Sequence, residues 1–128
     1  YMDAQFALGV MHDFGEGIPS DKAAAVRWYT KAANNGHPSA QVNLAASYLR
    51  GEGVKRDEAK AKVLFQAAAK SDDPRAFFGL AIIHEGGRGV PIDLCEAIHL
   101  YRKAAALGLR EARDRLDRFD KSTPCRGA

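Results

Sequence analysis

The chain lacks the features that mark membrane, nucleotide-binding and metal-binding proteins. No apolar run approaches the roughly 20 residues of a membrane helix, and no charged-then-apolar leader opens the sequence, so no membrane insertion is expected. Charge of one sign is scarce. The 19 basic residues are interspersed with 16 acidic ones for a net +3, a balance that steers weakly toward nucleic acid, and no nucleic-acid partner is expected. Cysteine is limited to Cys95 and Cys125, in different contexts, which set no disulfide framework and fix no compartment. The triplets Gly15-Glu16-Gly17, Gly51-Glu52-Gly53 and Gly87-Arg88-Gly89 are not followed by Lys-Ser or Lys-Thr, so they are read as turn glycines and not as phosphate loops. No cofactor is expected.

What the chain does have is a period. Ala4, Ala40, Ala76 and Ala112 stand 36 residues apart, as do Leu8, Leu44, Leu80 and Leu116. Aspartate returns at Asp21, Asp57 and Asp93, an aromatic at Tyr29, Phe65 and Tyr101, and an alanine pair at Ala32/Ala33, Ala68/Ala69 and Ala104/Ala105. A period of this length marks a solenoid, in which one helical hairpin cannot cover its own apolar face and stacked hairpins share a core. With 46% hydrophobic residues the chain has the material for such a core. Ala4 and Ala40 are expected to share one environment.

Each repeat reads as two helices. The first runs from about Ala4 to Phe14, with Ala4, Leu8 and Met11 on a buried stripe, and Gly15 stops it. The second starts after Asp21, whose carboxylate accepts from free amides, and ends near Asn35, where Gly36 takes the left-handed cap. Its inner face is Ala25, Trp28, Tyr29, Ala32 and Ala33. Pro38 and Pro74 suit the first turn of the following helix. Seven principal helices and no sheet are expected.

The run Ala4-x3-Leu8-Gly9-x5-Gly15-x-Gly17-Ile18-x2-Asp21-x3-Ala25-x2-Trp28-Tyr29-x-Lys31-Ala32-Ala33-x2-Gly36 resembles the Sel-1-like repeat family, relatives of the tetratricopeptide repeats. Asp72 replaces the repeat-ending glycine, Leu64 and Leu100 replace tryptophan, and Ala45 and Ala81 replace Gly9. The resemblance implies an all-α, right-handed α/α superhelix of antiparallel helix pairs, serving as an adaptor or scaffold in protein complexes. One solenoid is expected over 1–121, with repeats at about 3–38, 39–74 and 75–110, a capping helix at 111–121, and a flexible tail at 122–128.

The two ends read differently. In the last helix Ala112, Leu116 and Phe119 form one apolar stripe, and Glu111/Arg115 and Asp114/Arg118 are spaced to pair on the wet side. At the other end Tyr1 falls within a turn between repeats, and Ala7 and Met11 lie where a preceding hairpin would stack. The chain therefore reads as the carboxy-terminal part of a longer solenoid, with self-association through its first hairpin as an expectation.

A candidate binding surface follows from helix geometry. At 100° per residue, Phe6 and Val10 lie about 160° and 200° from Leu8, opposite the packed stripe, with Asp13 and Phe14 beside them. The same offsets give Val42, Ala46, Leu49 and Arg50 in the second repeat, and Arg75, Phe78, Ile82 and Glu85 in the third. In tetratricopeptide-like stacks the first helix of each pair lines the concave side. These positions are therefore expected to form an apolar groove with a mixed-charge rim, suited to a partner helix or extended peptide. The competing reading is that they fill gaps between first helices.

Chemistry is harder to build. His12 and His84 are equivalent to Tyr48 and two repeats apart, which fits packing and not a metal site. Cys95 and His99 share a helical face, yet Ala23 and Ala59 hold the position of Cys95, and no third orienting group or oxyanion site is present. A non-catalytic protein-protein interaction adaptor is the favoured reading. A weak hydrolase and a purely structural spacer are the alternatives.

Overall fold

The structure is a computed structural model and describes residues 1–119 and Cys125. Seven helices and no strand occur among the described residues. They are α1 (Met2–Phe14), α2 (Lys22–Asn34), α3 (Pro38–Arg50), α4 (Glu58–Ala69), α5 (Pro74–Gly86), α6 (Leu94–Ala106) and α7 (Arg110–Leu116). The capping helix expected over 111–121 is helical over Arg110–Leu116 among the described residues; its last two positions and the tail expected over 122–128 lie outside the described residues apart from Cys125.

The same local signals shape every hairpin. Gly15, Gly51 and Gly87 end the first helices in the left-handed conformation, and each donates its amide to a carbonyl four residues back. Asp21, Asp57 and Asp93 then cap the second helices, accepting from the amides of Ala24, Lys60 and Glu96 at 3.0–3.1 Å. Each of these aspartates also donates its own amide back to the first helix, to the carbonyls of His12, Tyr48 and His84 at 2.7–2.9 Å. The cap thus fixes where the second helix begins and how the hairpin closes. Pro38 and Pro74 occupy the first turns of α3 and α5, as expected. Asp72, which stands where Gly36 and Gly108 stand, takes a left-handed φ of 55° without being glycine.

Two compact units divide the chain, Tyr1–Ala68 and Ala69–Ala128. In the first, α1 packs on α2 and α2 on α3. Ala25, Val26, Tyr29, Ala32, Ala33, Ala40 and Leu44 form its core, with Phe6, Val10, Tyr48, Val54 and Leu64 half-buried against it. Gly9 lets Tyr29 lie close, since a Cβ there would come 2.6 Å from the ring. The single tryptophan, Trp28, belongs to this unit, with the Lys31 ammonium 4.5 Å from its ring. In the second unit α5 packs on α6 and α6 on α7, around Leu80, Ala81, Ile83, Ile98, Leu100 and Tyr101.

The period predicts like environments for Ala4 and Ala40, and the structure separates them. Ala40, Ala76 and Ala112 are fully buried, whereas Ala4 is exposed. Among the described residues no second helix precedes α1 to cover it, while α2 covers α3 and α6 covers α7.

Candidate functional site

In the first unit, Asp13 at the end of α1 is held from several sides. Tyr29 of α2 donates its phenol to Asp13 Oδ2 at 2.9 Å, Lys22 pairs with Oδ1, and Ser20 and Lys22 donate to the Asp13 carbonyl. Burial, and then the neighbouring Asp13 carboxylate, raise the Tyr29 phenol well above its ordinary pKa, while a hydrogen bond with Asn43 of α3 opposes them. A cleft of about 190 Å³ opens beside this group, lined by Asp13, Phe14, Lys22, Asn43, Ala46, Ser47, Arg50 and Glu52. Phe14 is 69% exposed and Arg50 is exposed, so the cleft has an aromatic and a cation available at its mouth.

The second unit repeats the arrangement with different partners. Tyr101 of α6 donates to Glu85 Oε1 of α5 at 2.5 Å, and Arg115 of α7 approaches both, at 3.5 Å from the carboxylate and 3.4 Å from the phenol oxygen. Burial first, then Glu85, raises the Tyr101 phenol, and Arg115 pulls the other way. Phe78 lies edge-on to Tyr101 at 5.5 Å, with the Arg115 guanidinium 5.7 Å from its ring. A cleft of about 210 Å³ is lined by Phe78, Glu111, Asp114, Arg115 and Arg118.

The twelve residues expected to line a groove therefore fall into distinct environments. Val42 and Leu49 are buried, and Phe6, Val10, Ala46, Phe78 and Ile82 are half-buried. Phe6 stacks on the His37 ring at 4.5 Å and leans on Tyr29. Asp13 and Glu85 are engaged by the tyrosines of their own hairpins, and Arg75 pairs with Asp73 at 2.9 Å. Asp13, Phe14, Ala46 and Arg50 meet in the first cleft, whereas Phe78 lines the second.

Sequence reasoning missed the tyrosine-acid bonds, although the register carried a signal for them. Tyrosine accompanies an acid in the first and third repeats, Tyr29 with Asp13 and Tyr101 with Glu85, while Phe65 accompanies Leu49 in the second. It also missed a second cleft in the first unit, of about 390 Å³, lined by Thr30 and Asn34 of α2, Leu44 and Tyr48 of α3, and Val63 and Leu64 of α4 among others. Leu64 stands there in place of the tryptophan of the first repeat, a smaller side chain that leaves room.

The cysteines require a correction. They were expected to set no disulfide framework, and the structure bonds Cys95 to Cys125 with their Cα atoms 5.2 Å apart. Cys95 is thereby removed as a thiol partner for His99. Among the described residues no cluster of three or more His, Cys, Asp or Glu side chains is placed to hold a metal, and no helix is long and apolar enough to cross a membrane.

Comparison with known families gives three successive matches to the Sel1 repeat, at residues 3–37, 38–73 and 74–109. The chain belongs to the Sel1-repeat family. Solved structures agree. A protective antigen of uropathogenic Escherichia coli with an SLR fold is 38% identical with a TM-score of 0.85, covering 91% of this chain and 25% of its own. A Sel1 repeat protein from Oxalobacter formigenes is 34% identical with a TM-score of 0.84, covering 91% of this chain and 47% of its own. Helicobacter pylori cysteine rich protein B, at 22% identity and a TM-score of 0.67 over 89% of this chain and 92% of its own, shares the fold. This Sel1-repeat chain thus spans a quarter and about half of the first two proteins. No curated protein matches it. Sel1 repeats are generally protein-interaction repeats and non-catalytic scaffolds.

Proposed function

We propose that this Sel1-repeat chain is a non-catalytic adaptor that holds a peptide or helix of a protein partner on the faces made by its first helices. In the first unit the contact centres on Phe14, with Ala46 and Arg50 lining the same cleft. The observation that carries the reading is the meeting of these residues in one cleft, with a large aromatic left mostly in water. Isolated exposed apolar residues are ordinary, but an aromatic at the mouth of a cleft with polar groups around it suits an interface anchor. Phe78 plays a comparable part in the second unit, where Glu111, Asp114, Arg115 and Arg118 line the cleft with it. Val42 and Leu49 support the surface from within, because both are buried.

The mixed signs around each cleft favour orientation of a partner over capture of a single charge. Arg50, exposed at the end of α3, supplies that orientation at the first cleft, while Arg75 of α5 is paired with Asp73. Self-association through the first hairpin is a separate expectation, which sedimentation over a range of concentrations tests.

The test is selection of binders from a displayed random-peptide library, followed by calorimetry with the selected peptide. Phe14→Ala should weaken binding about tenfold, or about 1.4 kcal/mol, while Arg27→Ala and Lys31→Ala on the second helix should leave it unchanged. The reading fails if folded Phe14→Ala and Phe78→Ala chains bind as tightly as the parent while the Arg27 and Lys31 variants lose affinity. A chain that selects no peptide behaves as a spacer.

A further inference from the structure

The disulfide falls in register with a contact in the first unit. Cys95 stands two periods after Ala23, and Cys125 two periods after Gly53. Gly53, in the loop after α3, sits directly on the start of α2, where a Cβ would come 2.3 Å from the Lys22 carbonyl oxygen and 2.9 Å from the Ala23 amide. The corresponding pair of positions in the second unit is joined covalently. A residue that follows a first helix is thus fastened to the preceding second helix in both units, Gly53 by close contact and Cys125 by a disulfide.

The helix fastened this way needs the help. α7 has seven residues, against thirteen in α1, α3 and α5, and its N-cap Leu109 provides no side-chain hydrogen bond. Helices this short are marginal without tertiary support. α3 is followed by a second helix of its own hairpin, with Lys60 of α4 lying over Tyr48, whereas no second helix follows α7 among the described residues. Its ties include buried Ala112, the approach of Arg115 to Glu85, Tyr101 and the Phe78 ring, and Phe119 just beyond it, 6.2 Å from the Tyr101 ring.

We propose that Cys95–Cys125 is a redox-sensitive staple that holds α7 against α6, and with it the Arg115 side of the cleft around Phe78. Cys95 lies at an exposed position on the first turn of α6, within reach of a reductant. One thiolate of a dithiol reductant attacks a sulfur of the bond, the S–S bond breaks, and the departing cysteine thiolate takes up a proton. The second thiol of the reductant resolves the mixed disulfide, so that two electrons pass to the protein, two cysteine thiols form, and the reductant becomes a disulfide. In an oxidising compartment the staple stays closed. In a reducing one α7 is released, and the cleft loses Glu111, Asp114, Arg115 and Arg118 together.

Amide hydrogen exchange read by mass spectrometry tests the staple on the full chain, before and after dithiothreitol and again after reoxidation. Reduction should speed exchange across Arg110–Leu116 more than about tenfold while leaving the interior of α5 and α6 within about twofold, and reoxidation should restore the slow rates. The Cys95→Ser/Cys125→Ser chain should behave like the reduced parent and ignore dithiothreitol. If that variant does not fold, the reduction and reoxidation cycle of the parent decides. The proposal is overturned if the air-oxidised chain titrates with two free thiols, if α7 exchange is unchanged by reduction, or if α5 and α6 speed up as much as α7.

Discussion

The starts of α2 and α6 occupy equivalent places in their repeats and are held by opposite means. At α2 a glycine brings the next loop so close that no side chain fits, and nothing covalent is needed. At α6 both positions carry cysteines, and Cys95 is bonded to Cys125 at a Cα separation of 5.2 Å. The contrast teaches that one repeat register accepts either intimate contact or a covalent link. Contact is available where another hairpin follows. The link appears where the following hairpin is only half represented among the described residues.

The comparison breaks most severely at Gly53. Gly53→Ala combines a φ of 75° with a backbone clash and should cost about 3 kcal/mol, whereas Gly17→Ala, at φ 74° with open space around it, should cost about 1 kcal/mol. Urea unfolding monitored by circular dichroism measures both. Equal losses would show that the loop contact contributes nothing.

The tyrosines sharpen the comparison at an intermediate scale. Tyr29→Phe should cost about 1 kcal/mol by leaving Asp13 with one donor fewer, and Tyr101→Phe about 1.5 kcal/mol, because Glu85 and Arg115 both lose a partner. The phenols also give each unit a pH dependence of known sign. Each folded pKa is raised above the unfolded value of about 10, so the stabilisation is complete below pH 10 and is lost as pH rises beyond it. Alkaline unfolding curves should be shallower for each Phe variant than for the parent.

The smallest effect is a gain. Asp72 adopts the left-handed conformation that Gly36 adopts in the first unit, so Asp72→Gly should stabilise the chain by about 0.5 kcal/mol. A loss on thermal melting would show that the aspartate side chain contributes more than its backbone strain removes.

Local chemistry was legible in the sequence because it acts over a few residues. Asp21, Asp57 and Asp93 cap α2, α4 and α6, Gly15, Gly51 and Gly87 end α1, α3 and α5, and the period located seven helices. The side chains of the candidate site were less legible. A helical wheel assigns a direction but not a depth, and so it treats Val42 and Leu49, which are buried, like exposed Phe14. Nor does it show how far a side chain reaches: Asp13 and Glu85 were placed on a rim, while each accepts a hydrogen bond from a tyrosine sixteen residues on. The disulfide escaped for a related reason. Its two cysteines lie in consecutive repeats, and their pairing emerges only once the loop after one first helix is seen resting on the preceding second helix at Gly53 and Ala23.

Trp28 in the first unit gives the molecule an optical asymmetry. With no tryptophan after residue 68, intrinsic emission excited at the indole band reports on Tyr1–Ala68 alone, with the Lys31 ammonium beside the ring as a built-in perturber. The other unit is nearly dark, since Tyr101 is its single tyrosine. A melt followed by fluorescence and the same melt followed by circular dichroism therefore report on different portions of the chain, and any offset between them measures how far the two units unfold apart.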